Sequence, residues 1–165
     1  MDRLAWIDQE MAHVAELICR VGWFIPYIGG ETCSRPGCCS PPGDGPPFAY
    51  TIGLFGMGHA ELLIFGIDPG TTNAVLSALA GRIRQGETLM PGGMLTIENW
   101  SRRIVPEEVP NPGDIVLWAN DFYQRPAGNS VPVLQLTYDD SQGLFPWDEG
   151  YATPELQPRP GSFAA

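Results

Sequence analysis

Apolar residues recur at three- and four-residue steps through the first 21 positions. Leu4, Ile7, Met11, Val14, Ile18 and Val21 fall on one helical face, and Gln9, His13, Glu16 and Arg20 on the opposite one. This spacing predicts an amphipathic helix over 3–21, with Asp2 able to cap its start and Gly22 to end it. His13 is then an ordinary surface histidine, and Cys19 flanks the buried stripe as a small apolar residue.

Past Gly22 the pattern shortens. WFIPYIG, 23–29, reads as a strand, and Pro26 places it at an edge or a bulge because proline donates no hydrogen bond. Residues 30–47 are dense in Gly, Pro and Cys and read as a loop. Two apolar runs follow, at 48–54 and 60–67, close enough in sequence to pair as an antiparallel hairpin. Asp68 followed by Pro69 signals a helix start. Val75, Leu76, Leu79 and Ile83 give that helix a buried stripe, and Gly86 ends it. Residues 87–105 read as two short strands. A third helix is expected over 114–124, turning Ile115, Trp118, Ala119 and Phe122 inward. VPVLQLTY, 131–138, reads as a strand whose prolines suggest an edge. Residues 152–165 lose all periodicity and are expected to form a loose Pro/Gly-rich tail behind a single domain spanning 1–151. The element order does not alternate as a doubly wound sheet would. It predicts an α+β fold, with two or three helices packed on a mainly antiparallel sheet.

Composition narrows the function. The 165 residues are 44% hydrophobic, which suits a globular core. A net charge of −10 argues against nucleic-acid binding and against docking on anionic membranes. Every basic residue is Arg, so lysine Schiff-base chemistry and a lysine-bearing phosphate loop are both excluded. No signal-peptide pattern and no run long enough to span a bilayer are present. The expectation is a cytoplasmic bacterial protein with reduced thiols.

The stretch F-A-Y-T-I-G-L, a glycine-containing gap, and H-A-E-L-L-I-F-G-I resemble the core of a bacterial family of domains of unknown function. Its members carry Y-T-x-G-L followed by H-P-E-L. The later pattern Q-L-x-Y-x-D-x-x-G-x-F-P-W-D-x-G-Y, Gln135 to Tyr151, is similar to that family too. The likeness spans about residues 8 to 151, with Ala60 standing where proline is usual. It implies a small cytoplasmic α+β domain and no particular activity.

Three groups could carry chemistry. In an extended 59–65, His59 and Glu61 share a face with Leu63 and Phe65. They are either an acid–base or metal-ligand pair, joined by Tyr50 or Thr51 around a small-molecule site, or structural groups. In the structural case Glu61 accepts turn N–H groups or pairs with Arg102 or Arg103. In CSRPGCC, the thiols of Cys33, Cys38 and Cys39 could hold zinc with His59 as a fourth ligand, could form a disulfide or redox loop, or could stand idle. The aromatic, acidic GLFPWDEGY, 143–151, either lines a pocket or partner surface or covers one end of the core. No glycine-rich nucleotide fingerprint, nucleophile elbow or H-E-x-x-H motif occurs. Two functions remain open: a small-molecule-binding, potentially enzymatic domain built on His59, Glu61 and Tyr50, or a non-catalytic module that meets a protein partner through its acidic surface and aromatic loop.

Overall fold

A computed structural model describes residues 3–29 and 45–165. Among these residues the chain forms an α+β domain of three helices and six strands. In order they are α1 (Arg3–Val21), β1 (Tyr27–Ile28), β2 (Phe48–Tyr50), β3 (Glu61–Phe65), α2 (Pro69–Arg84), β4 (Leu95–Ile97), β5 (Trp100–Glu108), α3 (Leu117–Phe122) and β6 (Val133–Tyr138). The strands make one mixed sheet in the order β1-β2-β3-β6-β5-β4. All neighbours are antiparallel except β3 and β6.

The expected hairpin forms, with Phe48 opposite Phe65, Ala49 opposite Ile64 and Tyr50 opposite Leu63. Its connection is longer than the apolar pattern suggests. After Thr51, whose N–H still donates to the Leu62 carbonyl at 2.9 Å, the chain leaves the ladder, touches Phe24 through Ile52, and winds a single 3-10 turn over Phe55–Met57 before β3 begins. The physical cause is Glu61, around which residues 51–55 wrap.

Both faces of the central strands are covered, which is why β3 reads as an unbroken apolar run from Leu62 to Phe65. On one face Ala49, Leu62, Ile64, Ile104, Leu134 and Leu136 pack against Val75, Leu76, Leu79 and Ile83 of α2. On the other, Phe48, Tyr50, Leu63, Phe65 and Val133 pack against Ile115, Val116 and Ala119 at the start of α3. The α2 cap is as the sequence predicts: the Asp68 side chain accepts the Thr71 N–H at 2.9 Å, and Pro69 opens the helix.

Four expectations are corrected. β6 is central rather than an edge strand, because Pro132 stands just before it and offers a carbonyl, not an N–H, to Glu61 of β3. The apolar stripe of α1 is only partly buried: Val14 is enclosed, Ile7, Met11 and Ile18 are half-buried, and Val21 remains 45% exposed. Cys19 is likewise exposed. Trp118 lies outward, 36% exposed, because α3 is a short helix entered through the turn at Pro112–Asp114. Residues 152–165 are not a loose tail. Gln157 is buried and brackets Tyr138, accepting its N–H at 3.0 Å and donating to its carbonyl at 2.8 Å. Arg159 forks onto Glu107, and the Phe163 ring packs against Phe48 and Phe65. A segment without periodicity still folds here, because single side chains, not a repeating stripe, anchor it.

Candidate functional site

The Glu61 carboxylate is enclosed at the start of β3, where it meets five donors. Oε1 accepts from the N–H groups of Gly53 (2.9 Å) and Phe55 (3.0 Å) and from the Tyr123 hydroxyl (3.2 Å). Oε2 accepts from the Thr51 hydroxyl (2.6 Å) and the Leu54 N–H (3.2 Å). Thr51 in turn accepts the Leu62 N–H at 2.9 Å, which ties the cage to the strand. Burial raises the Glu61 pKa above the ordinary carboxylate range, and the Thr51 hydroxyl and the three N–H groups pull it partly back. Arg102 and Arg103 are not its partners: Arg103 belongs to Asp139.

His59 serves a different contact. Its Nε2 accepts the Leu89 N–H at 3.0 Å. A backbone N–H only donates, so that nitrogen is unprotonated, and Nδ1–H donates to the Ala60 carbonyl at 2.7 Å. Both ring nitrogens are therefore engaged. His59 borders a cavity of about 310 Å³, shared with Leu89, Glu108 and Pro132, which Glu61 does not line. Tyr50 lies in the core, where its hydroxyl accepts the Trp118 N–H at 3.1 Å. The three hairpin side chains thus have separate partners and share no open space. The remaining zinc candidates, Cys33, Cys38 and Cys39, lie outside the described residues. Among the described residues no cluster of three His, Cys, Asp or Glu side chains could hold a metal.

The opposite end of the sheet carries a larger cavity. A cleft of about 440 Å³ lies at the carboxyl ends of the parallel strands β3 and β6, beside the start of α2. Gly66 and Ile67 leave β3 there, and Tyr138 closes β6. Gly66 has φ +73°, and a Cβ on it would sit 2.6 Å from the Leu156 carbonyl oxygen, so glycine is required where the C-terminal segment crosses the strand end. Trp100 and Arg102 of β5 project into the same space because alternate strand residues share a face. The Trp100 and Tyr138 rings are 5.4 Å apart at 57°. Tyr138 donates its hydroxyl proton to the Phe65 carbonyl at 2.8 Å, and burial raises its pKa, so it stays a neutral phenol. The Tyr151 hydroxyl accepts the Gln157 amide at 2.6 Å.

The acids of this cleft are already engaged. Asp139 takes the Arg103 N–H at 2.9 Å and its Nε at 2.7 Å. Asp140 accepts the N–H groups of Leu144 (2.9 Å) and Gln142 (2.8 Å), which, together with the nearby Arg102 charge, hold its pKa below the usual range. Asp68 caps α2 and is lowered by the Thr71 N–H. Sequence reasoning reached Tyr138, Asp140 and Tyr151 through the Gln135–Tyr151 pattern, and offered 143–151 as a pocket lining or a cover for the core, but did not bring these residues together with Gly66, Trp100 and Arg102. Arg102 and Trp100 become cleft residues only through the β5–β6 pairing, which brings Ile104 opposite Tyr138.

No helix among the described residues is long and apolar enough to cross a membrane. A family model described as "Domain of unknown function (DUF4262)" matches residues 17–152. The match takes in every strand of the sheet and both motif stretches. No curated protein and no solved structure matches the chain.

Proposed function

The chain belongs to this family of domains of unknown function, and from that premise we propose that it is a small-molecule-binding domain whose ligand occupies the cleft at the carboxyl ends of β3 and β6. One observation carries the reading: the two motif stretches, distant in sequence, converge on one concave site. The first contributes Gly66 and Ile67, the second Tyr138, Asp140 and Tyr151. The carboxyl ends of parallel strands beside a helix start are a recurrent ligand position in mixed α/β sheets. The hairpin turn supports the reading less well, since Glu61, His59 and Tyr50 are each engaged by the fold.

A protein-facing role for the aromatic loop has one observation behind it. Trp147 is 48% exposed, although its ring stacks on Phe145 at 4.7 Å and Arg159 lies over it at 5.1 Å. That anchoring suits a cover over the end of the core and leaves only part of the ring for a partner.

A fragment screen by two-dimensional NMR on the full chain tests the cleft. Binding fragments should shift the Trp100 indole N–H and the amides of Ile67, Tyr138 and Tyr151 together. Hits that cluster instead around Leu89 and His59, or around Trp147, would overturn the proposal.

A further inference from the structure

The cleft sorts its polar groups in an uneven way. Its carboxylates are held by backbone N–H groups or by Arg103. Its donors are not. The Arg102 guanidinium has no ion-pair or hydrogen-bond partner among the described residues, in contrast to Arg103, which also holds the Gly143 carbonyl at 2.7 Å. The Trp100 indole N–H is equally without a partner there. The Tyr151 hydroxyl receives a hydrogen bond from Gln157 and keeps its own proton available. A half-buried guanidinium gains most from a planar anion, which it can grip with two parallel bonds. The Trp100 and Tyr138 rings, tilted 57° to one another, offer an angled apolar corner beside it.

We infer that the cleft takes a small organic anion, with its carboxylate on Arg102 and its ring or apolar body against Trp100 and Tyr138. This rests on the binding reading above and adds the ligand's charge and shape. The Asp140 carboxylate senses the Arg102 charge and repels any anion in the cleft, so a bound anion must gain its affinity from direct contact with the guanidinium.

Benzoate, benzamide and benzylamine share a ring and differ in charge, so they serve as probes on the full chain by NMR titration. Benzoate should shift the Trp100 indole N–H saturably in the millimolar range. It should bind about tenfold more tightly than benzamide, in keeping with the strength of charge-assisted pairing. Arg102→Gln should remove that preference, and Arg102→Lys should restore part of it because the charge returns without the planar fork. Unchanged melting temperatures for both variants show that the fold is intact. Equal binding of benzoate and benzamide in the cleft, or tighter benzylamine, would overturn the anion and leave the cleft reading standing. Absence of any cleft shift with all three probes would overturn the inference, while the fragment screen decides separately whether the cleft binds at all.

Discussion

Glu61 illustrates how one buried charge shapes the chain around it. Three consecutive N–H groups, Gly53, Leu54 and Phe55, point at its carboxylate, so the backbone there abandons the ladder to form a cradle. Gly53 is needed twice. It donates to Oε1, and at φ +134° it lies so close to the end of α1 that an added Cβ would stand 2.5 Å from the Gly22 carbonyl oxygen. Gly53→Ala is expected to destabilise the protein by about 2 kcal/mol or more, measured by guanidinium denaturation. Glu61→Gln sets an amide donor against the Leu54 or Phe55 N–H and should cost about 1–3 kcal/mol, without altering benzoate binding at the far end of the sheet. The pH dependence separates the forces on Glu61. Its folded pKa is raised above the ordinary 4.5, so its contribution is full below that value and is lost as pH rises through the folded one. The stability advantage of the native protein over Glu61→Gln should therefore shrink from pH 4 upward. An advantage that grows with pH would show that the five donors outweigh burial.

At the scale of elements, two side chains set boundaries. Asp68 caps α2, and its pKa is lowered by the Thr71 N–H, so the cap's contribution is present above the ordinary 3.8 and is lost as pH falls through the depressed value. Asp68→Ala should lower the melting temperature at pH 7 and hardly at pH 2, whereas Asp68→Asn, which keeps the acceptor, should retain most of the cap at both. His59 pins the segment after α2 through the Leu89 N–H. His59→Ala should speed hydrogen exchange at Leu89 and cost about 1–2 kcal/mol; unchanged exchange at Leu89 would refute the tether. These elements were readable to different degrees for a physical reason. α2 announces itself through a cap, a proline and a stripe, all local signals. The hairpin is legible from two apolar runs. The centrality of β6 is not, because its partners β3 and β5 lie far away in sequence and Pro132 imitates an edge signal. The cleft was illegible for the same reason: Arg102 and Tyr138 meet only through a ladder between residues about 35 positions apart.

The sheet's second face shows what the whole molecule adds. α3 is a short helix, too small to cover Phe48, Phe65 and Tyr50 by itself. The C-terminal segment completes that cover: Phe163 lies 5.3 Å from Phe48 and 5.0 Å from Phe65, ring to ring. Its backbone is secured by the Asn111 amide, which donates to the Phe163 carbonyl at 2.8 Å, and by the Ala165 N–H, which donates to the Asp114 carbonyl at 2.9 Å. The same segment makes one wall of the cleft through Thr153 and Leu156, and Gln157 orients both Tyr138 and Tyr151. Core and cleft are thus coupled through a stretch with no secondary-structure signature. Phe163→Ala and Gln157→Ala separate the two roles. Phe163→Ala removes a half-buried ring from the core and should cost about 2–3 kcal/mol, while leaving benzoate affinity within about twofold because Phe163 does not line the cleft. Gln157→Ala leaves the Tyr138 N–H and carbonyl unpartnered and frees the Tyr151 ring. It should weaken benzoate binding several-fold as well as lower stability by about 1–3 kcal/mol. Guanidinium denaturation and NMR titration on the same two variants read both effects. If Phe163→Ala weakened binding as much as Gln157→Ala, the segment would act as one cooperative unit, and the division of labour between its residues would be refuted.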